Sequence, residues 1–357
     1  MAKSERFGAF LLGISHFFVD FLCTALLASH TKAADPGTVL TLAIGYNALA
    51  FAFQLPLGAL GDLLDGRRSF AAIGCALVAA GSFLLSPIFM CLCIGLGNAL
   101  FHVGGGRESL QKSSGKAAAV GRFVAPGAVG IFLGPRLAHL PWLRSSVLPA
   151  LLLMLALLLA IHRTTRPHLA AMNQSFSPLR LAGILLCMFL TVFLRSYMGT
   201  VLRYSFLTNL FGAAVFTLCI FGGKFFGGSL ADRFGVLPFS AAAQAACVIC
   251  FTLSLKLPWL AYPGIFLFNT TMAITATELY RNLPQLPGTM FGLTTLALFL
   301  GVLPRLLGIR NIFFNWWGLG LLSLVSAVSL LGGLILGKGG RKDADVACSV
   351  SGTYPSL

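Results

Sequence analysis

Long apolar runs separated by short polar turns dominate the chain. They fall at about 8–30, 37–60, 69–86, 88–105, 117–138 and 142–161. After a polar stretch from His162 to Pro178, six more follow at about 179–200, 206–230, 236–255, 258–279, 287–308 and 316–337. Each is close to the roughly 20 residues that carry a helix across a bilayer. The pattern predicts an all-α membrane protein with twelve transmembrane helices. Residues 1–161 form one six-helix bundle, 162–178 a cytoplasmic linker, 179–337 a second bundle, and 338–357 a tail expected to be disordered. The first run starts basic and has Ala28-Ser29 near its end, as a cleaved leader would. It is long, however, carries His16 and Asp20 in its middle, and precedes eleven runs like it. It reads as a retained helix.

Composition fits no other class. Hydrophobic residues make up 57% of the chain and charged residues 10%, and mean hydropathy is +0.89. A soluble domain carries roughly a quarter charged residues, so lipid is the solvent here. The net charge of +15 comes from 25 Lys and Arg against 10 Asp and Glu. With the first residues placed inside, only Lys32, Arg136, Arg144, Arg203, Lys256 and Arg310 face outward. Arg122, Arg195, Lys224 and Arg305 fall within helices, and the other fifteen are cytoplasmic. Positive loops stay inside, which predicts an inner-membrane protein with both termini cytoplasmic. The charge is thus an orientation signal and gives no reason to expect nucleic acid. Of the nine cysteines, only Cys348 lies outside an apolar stretch. Cys247 and Cys250 form a C-x-x-C inside a helix without further ligands nearby, so they read as packing residues.

The chain repeats at an offset of about 170 residues. Gly58-Ala-Leu-Gly-Asp62 ends the second run, and Gly228-Ser-Leu-Ala-Asp232 ends the eighth. Glu108, after Arg107, is matched by Glu278, and Leu133-Gly-Pro135-Arg136-Leu137 by Leu303-Pro304-Arg305-Leu306. Three matches at one offset indicate two duplicated halves.

Gly228-Ser-Leu-Ala-Asp232-Arg233-Phe-Gly235 resembles the loop motif of the major facilitator superfamily. The first-half copy, Gly58 to Arg68, is similar but lacks the arginine after its aspartate. The resemblance implies two six-helix bundles that rock about a mid-membrane site, with the first helix of each half lining a central cavity. Gly121, Gly130 and Gly134-Pro135 resemble the fifth-helix motif of antiporters in that superfamily, although close helix packing explains such glycines equally well. Ser15-His16-Phe-Phe-Val-Asp20, with Gly95-Leu-Gly97-Asn98-Ala-Leu-Phe101-His102 and Thr277-Glu278-Leu279, is similar to fosmidomycin-resistance-type exporters. Val103 replaces their usual proline.

Candidate chemistry centres on Asp20. A carboxylate at mid-depth costs about 2.5–3.5 kcal/mol on insertion scales and is a functional hypothesis by default. His16 lies one turn earlier on the same face, so the two form a candidate proton-coupling pair, or a hydrogen-bonded pair joining helices. Arg195, deep in the seventh run, suits an anionic group. Lys224, Tyr46, Asn47, Gln54, Asn98, His102 and Asn269 complete the candidate substrate-binding residues. Asp62, Arg67, Arg68, Arg107, Glu108, Asp232, Arg233 and Glu278 are candidate gating charges, since they cluster at helix ends expected on the cytoplasmic side.

The chain has no nucleotide-binding P-loop, nucleophile elbow, zinc helix motif or haem-attachment motif. No catalytic residue, cofactor or metal is expected. The reading is a monomeric secondary transporter whose partners are lipid, protons and a small molecule. Proton-coupled export of an anionic or polar compound leads. An importer on the same fold, or a non-transporting receptor or scaffold, remains open.

Overall fold

The computed structural model describes residues 3–32, 34–64, 69–113, 115–140, 146–162 and 177–351. Most of the linker, residues 163–176, lies outside them. Among the described residues, helices build twelve apolar rods. The first half contains α1 (Lys3–Thr31), the paired α2 (Pro36–Asn47) and α3 (Gln54–Leu63), α4 (Phe70–Gly81), α5 (Pro87–Lys112), α6 (Ala117–Leu137) and α7 (Val147–Ile161). The second contains α8 (Pro178–Val201), α9 (Leu210–Phe234), α10 (Val236–Leu253), the paired α11 (Ala261–Asn269) and α12 (Thr271–Asn282), α13 (Pro287–Leu306) and α14 (Trp316–Ser351). Nine rods are long and apolar enough to cross a membrane, and Phe70–Gly81 and Val147–Ile161 are shorter apolar helices.

The helix packing repeats between the halves. α1 packs on α6 as α8 packs on α13, and α4 packs on α7 as α10 packs on α14. Two further pairs join the halves: α3 with α13, and α9 with α6. A 170-residue shift converts one of these pairs into the other, so the seam between the halves also obeys the repeat.

Several boundaries differ from the apolar pattern for local reasons. α4 stops at Gly81 rather than at 86, where Ser82, Phe83 and Leu84 donate to Ala79 O, Ala80 O and Gly81 O in a tightened last turn and Phe83 to Leu85 lie exposed. α5 runs seven residues past its expected end, through Gly104-Gly105-Gly106. A Cβ there would come within 2.3 Å of Ala71 N, 2.5 Å of Phe123 and 2.5 Å of Phe291, respectively. The glycines mark close packing on three sides, not a helix end. A π-helical turn at Ala48–Ala52 precedes Pro56, where Phe53 N donates to Ala48 O at 2.9 Å. Such a bulge absorbs the carbonyl clash that a proline brings into a helix. The α11/α12 rod breaks at Thr270, whose hydroxyl bonds Leu267 O at 2.6 Å. Finally, the backbone of α14 remains helical to Ser351, so helix extends into the segment expected to be a disordered tail.

Candidate functional site

The first-half centre is assembled by α1, α5 and α6. Gly130 and Gly134 let α6 lie against the backbone of α1: a Cβ on Gly130 would sit 2.4 Å from Phe17 O, and one on Gly134 2.5 Å from Phe21 O. His16 and Asp20 project from α1, with the imidazole Nε2 3.1 Å from Asp20 Oδ2. Asn98 on α5 donates its amide to Asp20 Oδ1 at 2.9 Å. His102, one turn further along α5, places Nε2 2.9 Å from His16 Nε2 and 3.8 Å from Asp20 Oδ1. All four residues are buried.

Sequence patterning joined His16 to Asp20 but grouped Asn98 and His102 with the substrate contacts. The structure places both beside the carboxylate. It also supplies Gly127, which the sequence reading missed. A Cβ there would meet His16 Nε2 at 2.3 Å and Asp20 Oδ2 at 2.4 Å. With Gly130 and Gly134 it follows an i, i+3, i+7 spacing, which is one helix face, so the signal was present in the sequence.

His16, Asp20 and His102 are also close enough to share a metal ion, with ligand atoms within 4.8 Å of one another. Tetrahedral Zn–N bonds of about 2.0–2.1 Å would hold two nitrogens roughly 3.3 Å apart. The observed 2.9 Å is a hydrogen-bond separation, which suits a proton better.

The second-half centre carries cations. Arg195 on α8 is buried. Its Nη1 donates to Thr271 Oγ1 at 3.1 Å and its Nη2 lies 2.7 Å from Met272 Sδ. Both partners stand just after the break at Thr270, so the interruption of that rod delivers the groups that hold the guanidinium. Lys224 on α9 is partly buried and within electrostatic reach of both Arg195 and Asp20. Among the described residues, neither cation has a carboxylate within ion-pair distance. That arrangement can receive an anion.

The remaining predicted contacts are more local. Tyr46 is buried beside Cys23 and Asp20. Asn47 bonds Ala43 O at 2.8 Å, and Asn269 bonds Ile265 O at 2.9 Å, each within its own helix. Gln54 is fully buried, and its Oε1 has no hydrogen-bond partner among the described atoms.

The gating charges meet at one end of the seam. Asp62, at the end of α3, accepts from Gly288 N at 2.9 Å, Thr289 N at 2.7 Å and Thr289 Oγ1 at 2.8 Å. Asp232, at the end of α9, accepts from Ala117 N at 3.0 Å and Ala118 N at 2.9 Å. Each aspartate therefore caps a helix of the opposite half: α13 for Asp62, α6 for Asp232. Neither helix has a side-chain cap from its own N-cap residue, Leu286 or Lys116, so their N-terminal amides and positive dipole ends are met across the seam. Arg107 supports Asp62 from α5, with Nε 3.7 Å from the carboxylate and Nη1 donating to Gly61 O at 2.8 Å. Glu108 pairs with Lys112 within α5. Arg281 lies 3.3 Å from Glu278 and donates to Gly115 O at 2.8 Å. Arg233 is exposed, over the ring of Phe234, and makes no ion pair with Asp232 among the described residues. Arg67 and Arg68 lie outside the described residues.

No family model matches the chain, and no curated protein matches it. Solved structures do. A crystal structure of the E. coli fucose:proton symporter FucP is 16% identical, with a TM-score of 0.62 over 93% of this chain and 98% of that one. A structure of the major facilitator superfamily transporter FucP in the outward conformation is 18% identical, with a TM-score of 0.63 over 95% and 99%. The fold is that of a major facilitator transporter. On that fold, the nine membrane-length rods among the described residues make the chain a multi-pass membrane protein. The likeness extends to nearly the whole length of both chains.

Proposed function

We propose that the protein is a secondary active transporter that moves a small anionic or polar molecule by alternating access, coupled to protons. One observation carries this reading. A buried, protonatable carboxylate–imidazole cluster on one half lies within electrostatic reach of a cation on the other half, each inside a helix long and apolar enough to cross a membrane. Ionisable groups inside such helices are costly and mark solute and proton pathways. Asp20, His16, Asn98 and His102 serve proton coupling, and Arg195 and Lys224 hold the anion. The capped seam at Asp62 and Asp232 holds the halves together at the end expected to be cytoplasmic. The protein works as a monomer in the inner membrane with both termini inside.

Export is the direction suggested by resemblance to fosmidomycin-type exporters and antiporters. The glycines of the antiporter-like segment are accounted for by packing: a Cβ on Gly121 would come within 2.5 Å of Lys224 O, and Gly130 and Gly134 face α1. A second reading, symport of proton and anion, is favoured by the electrostatics. A cluster that has lost its proton and carries net negative charge would compete with an incoming anion for Lys224, so anion binding suits a protonated cluster, and both move together.

The test uses oriented proteoliposomes with an imposed pH gradient and a panel of small anions that includes phosphonates. Anion-dependent proton movement supports the transporter reading, and its sign separates symport from antiport. Absence of any solute-dependent proton movement across the panel would sink proton coupling.

A further inference from the structure

The hydrogen bonds of the first-half cluster fix how many protons it holds. His16 Nδ1 is 2.7 Å from Phe123 O, and His102 Nδ1 is 2.9 Å from Asn98 O. A backbone carbonyl only accepts, so both Nδ1 atoms carry hydrogen. A neutral imidazole has a single N–H, which leaves both Nε2 atoms as bare acceptors if both rings are neutral. Yet these two atoms face each other at 2.9 Å. Two bare lone pairs at that separation repel, and burial strengthens the repulsion. One further proton between them converts the clash into an N–H···N hydrogen bond.

We propose that the proton carried by this cluster resides between His16 and His102, which makes His102 a proton-binding residue and leaves Asp20 ionised as counter-ion. Its role in transport rests on the proton-coupled reading above; its presence rests on the hydrogen-bond geometry alone. Asp20 is built to stay charged, because it accepts from Asn98 at 2.9 Å and faces His16 Nε2 at 3.1 Å. The orientation of Asn98, with its amide nitrogen on the carboxylate and its Oδ1 unpartnered among the described atoms, agrees with an acceptor at Asp20. The other titratable or charged groups facing the cluster are Cys23 on α1, Tyr46 on α2 and Lys224 on α9, with Arg195 on α8 behind Lys224. α6 contributes only backbone and ring carbon there, through Gly127 and Phe123.

Loss of the bridging proton has two consequences. The contact between His16 on α1 and His102 on α5 becomes repulsive, so the proton controls how two helices of one half meet. The cluster also passes from neutral to a net negative charge facing Lys224, which draws the halves together. A single carboxylate would supply only the second effect.

The test is ring-nitrogen NMR of the full-length protein in lipid nanodiscs near neutral pH, with 15N-labelled histidine. Wild type is compared with His16→Gln and His102→Gln, each checked for an unchanged elution volume. The expected spectrum shows one buried imidazolium, lost in both variants alike, and proton-coupled flux falls about tenfold in each. If His102→Gln keeps the imidazolium on His16, the proton belongs to the His16–Asp20 pair and the inference fails while proton coupling survives. A wild-type spectrum in which all buried rings are neutral overturns it without any variant. If the imidazolium is present but solute flux never moves protons, the bridge stands and the transport reading falls.

Discussion

His102 and Met272 are separated by the repeat offset of 170 residues, and each reaches a polar group on the first helix of its own half. His102 meets His16 beside Asp20; Met272 meets Arg195. Gln54 and Lys224 are related by the same offset, one neutral and one charged. At the seam, by contrast, the offset preserves chemistry. Gly58 packs on Gly288 and Gly228 on Ala117, where a Cβ on each would come within 2.2 and 2.4 Å of the carbonyl oxygen, and Asp62 and Asp232 each cap a helix of the other half. The seam surfaces are thus alike in the two halves while the two centres differ, one built of a carboxylate and imidazoles, the other of cations. A transporter needs its halves to move symmetrically, but a coupled one needs two different ligands in its middle.

The sharpest test of that division removes one charge from each centre. Asp20→Asn keeps the shape of the cluster but removes the counter-ion of the shared proton, and lowers solute-driven proton flux by about 100-fold, the scale on which a buried charge loses its partner, while anion binding measured calorimetrically stays at the level of the protonated wild type. Arg195→Gln does the reverse. It weakens anion binding by about 10- to 100-fold, the loss of a charge-assisted hydrogen bond of roughly 1.5–3 kcal/mol. If both variants lose both properties equally, the two centres form one site and the division is wrong.

Much of this division was legible in the sequence, and the part that was not has a clear cause. Helical periodicity put His16 and Asp20 on one face, and the 170-residue offset exposed the duplicated Gly58–Asp62 and Gly228–Asp232 segments. These are signals local to one helix or repeated along the chain. Pairing across helices is neither. His102 lies 86 residues from His16, and nothing in the pattern of α5 says that its ring faces α1 and not the substrate path. Likewise, Asp232 read only as a gating charge at a helix end, whereas it caps the backbone amides of α6. Amides carry no sequence signature, so a cap supplied from another half cannot be read from composition. The break at Thr270 was equally hidden, because Asn269-Thr270-Thr271 satisfies its own backbone locally within an otherwise continuous apolar run.

Lys224 gives a finer test, since it stands between the centres. Lys224→Gln restores the residue type found at its repeat mate, Gln54. The expected result is a roughly tenfold rise in the half-saturating anion concentration, with a weaker dependence of anion binding on proton concentration. Maximal flux falls less than in Arg195→Gln. An unchanged proton dependence would show that Lys224 does not link the two ligands, and the symport reading would lose its support.

The smallest effect is expected at the seam, where the halves are alike. Asp62→Asn and Asp232→Asn each keep size while removing the charge that meets a helix dipole and weakening the cap. A helix cap or dipole contact is worth about 1 kcal/mol, so each variant should shift the ratio of the two conformers about fivefold toward opening at this end. The two variants need not be equal. Asp62 accepts three hydrogen bonds and has Arg107 beside it, whereas Asp232 accepts two and has Arg233 turned to Phe234. Removal of the Asp62 charge also strands Arg107 in a partly buried position. Asp62→Asn is therefore expected to open the seam further than Asp232→Asn, as read by spin-label distances between the ends of α3 and α13 and of α9 and α6. Equal shifts would mean that the dipole contact alone sets the closing energy. A larger shift for Asp232→Asn would mean that the first-half latch, despite the support of Arg107 from α5, is the weaker of the two.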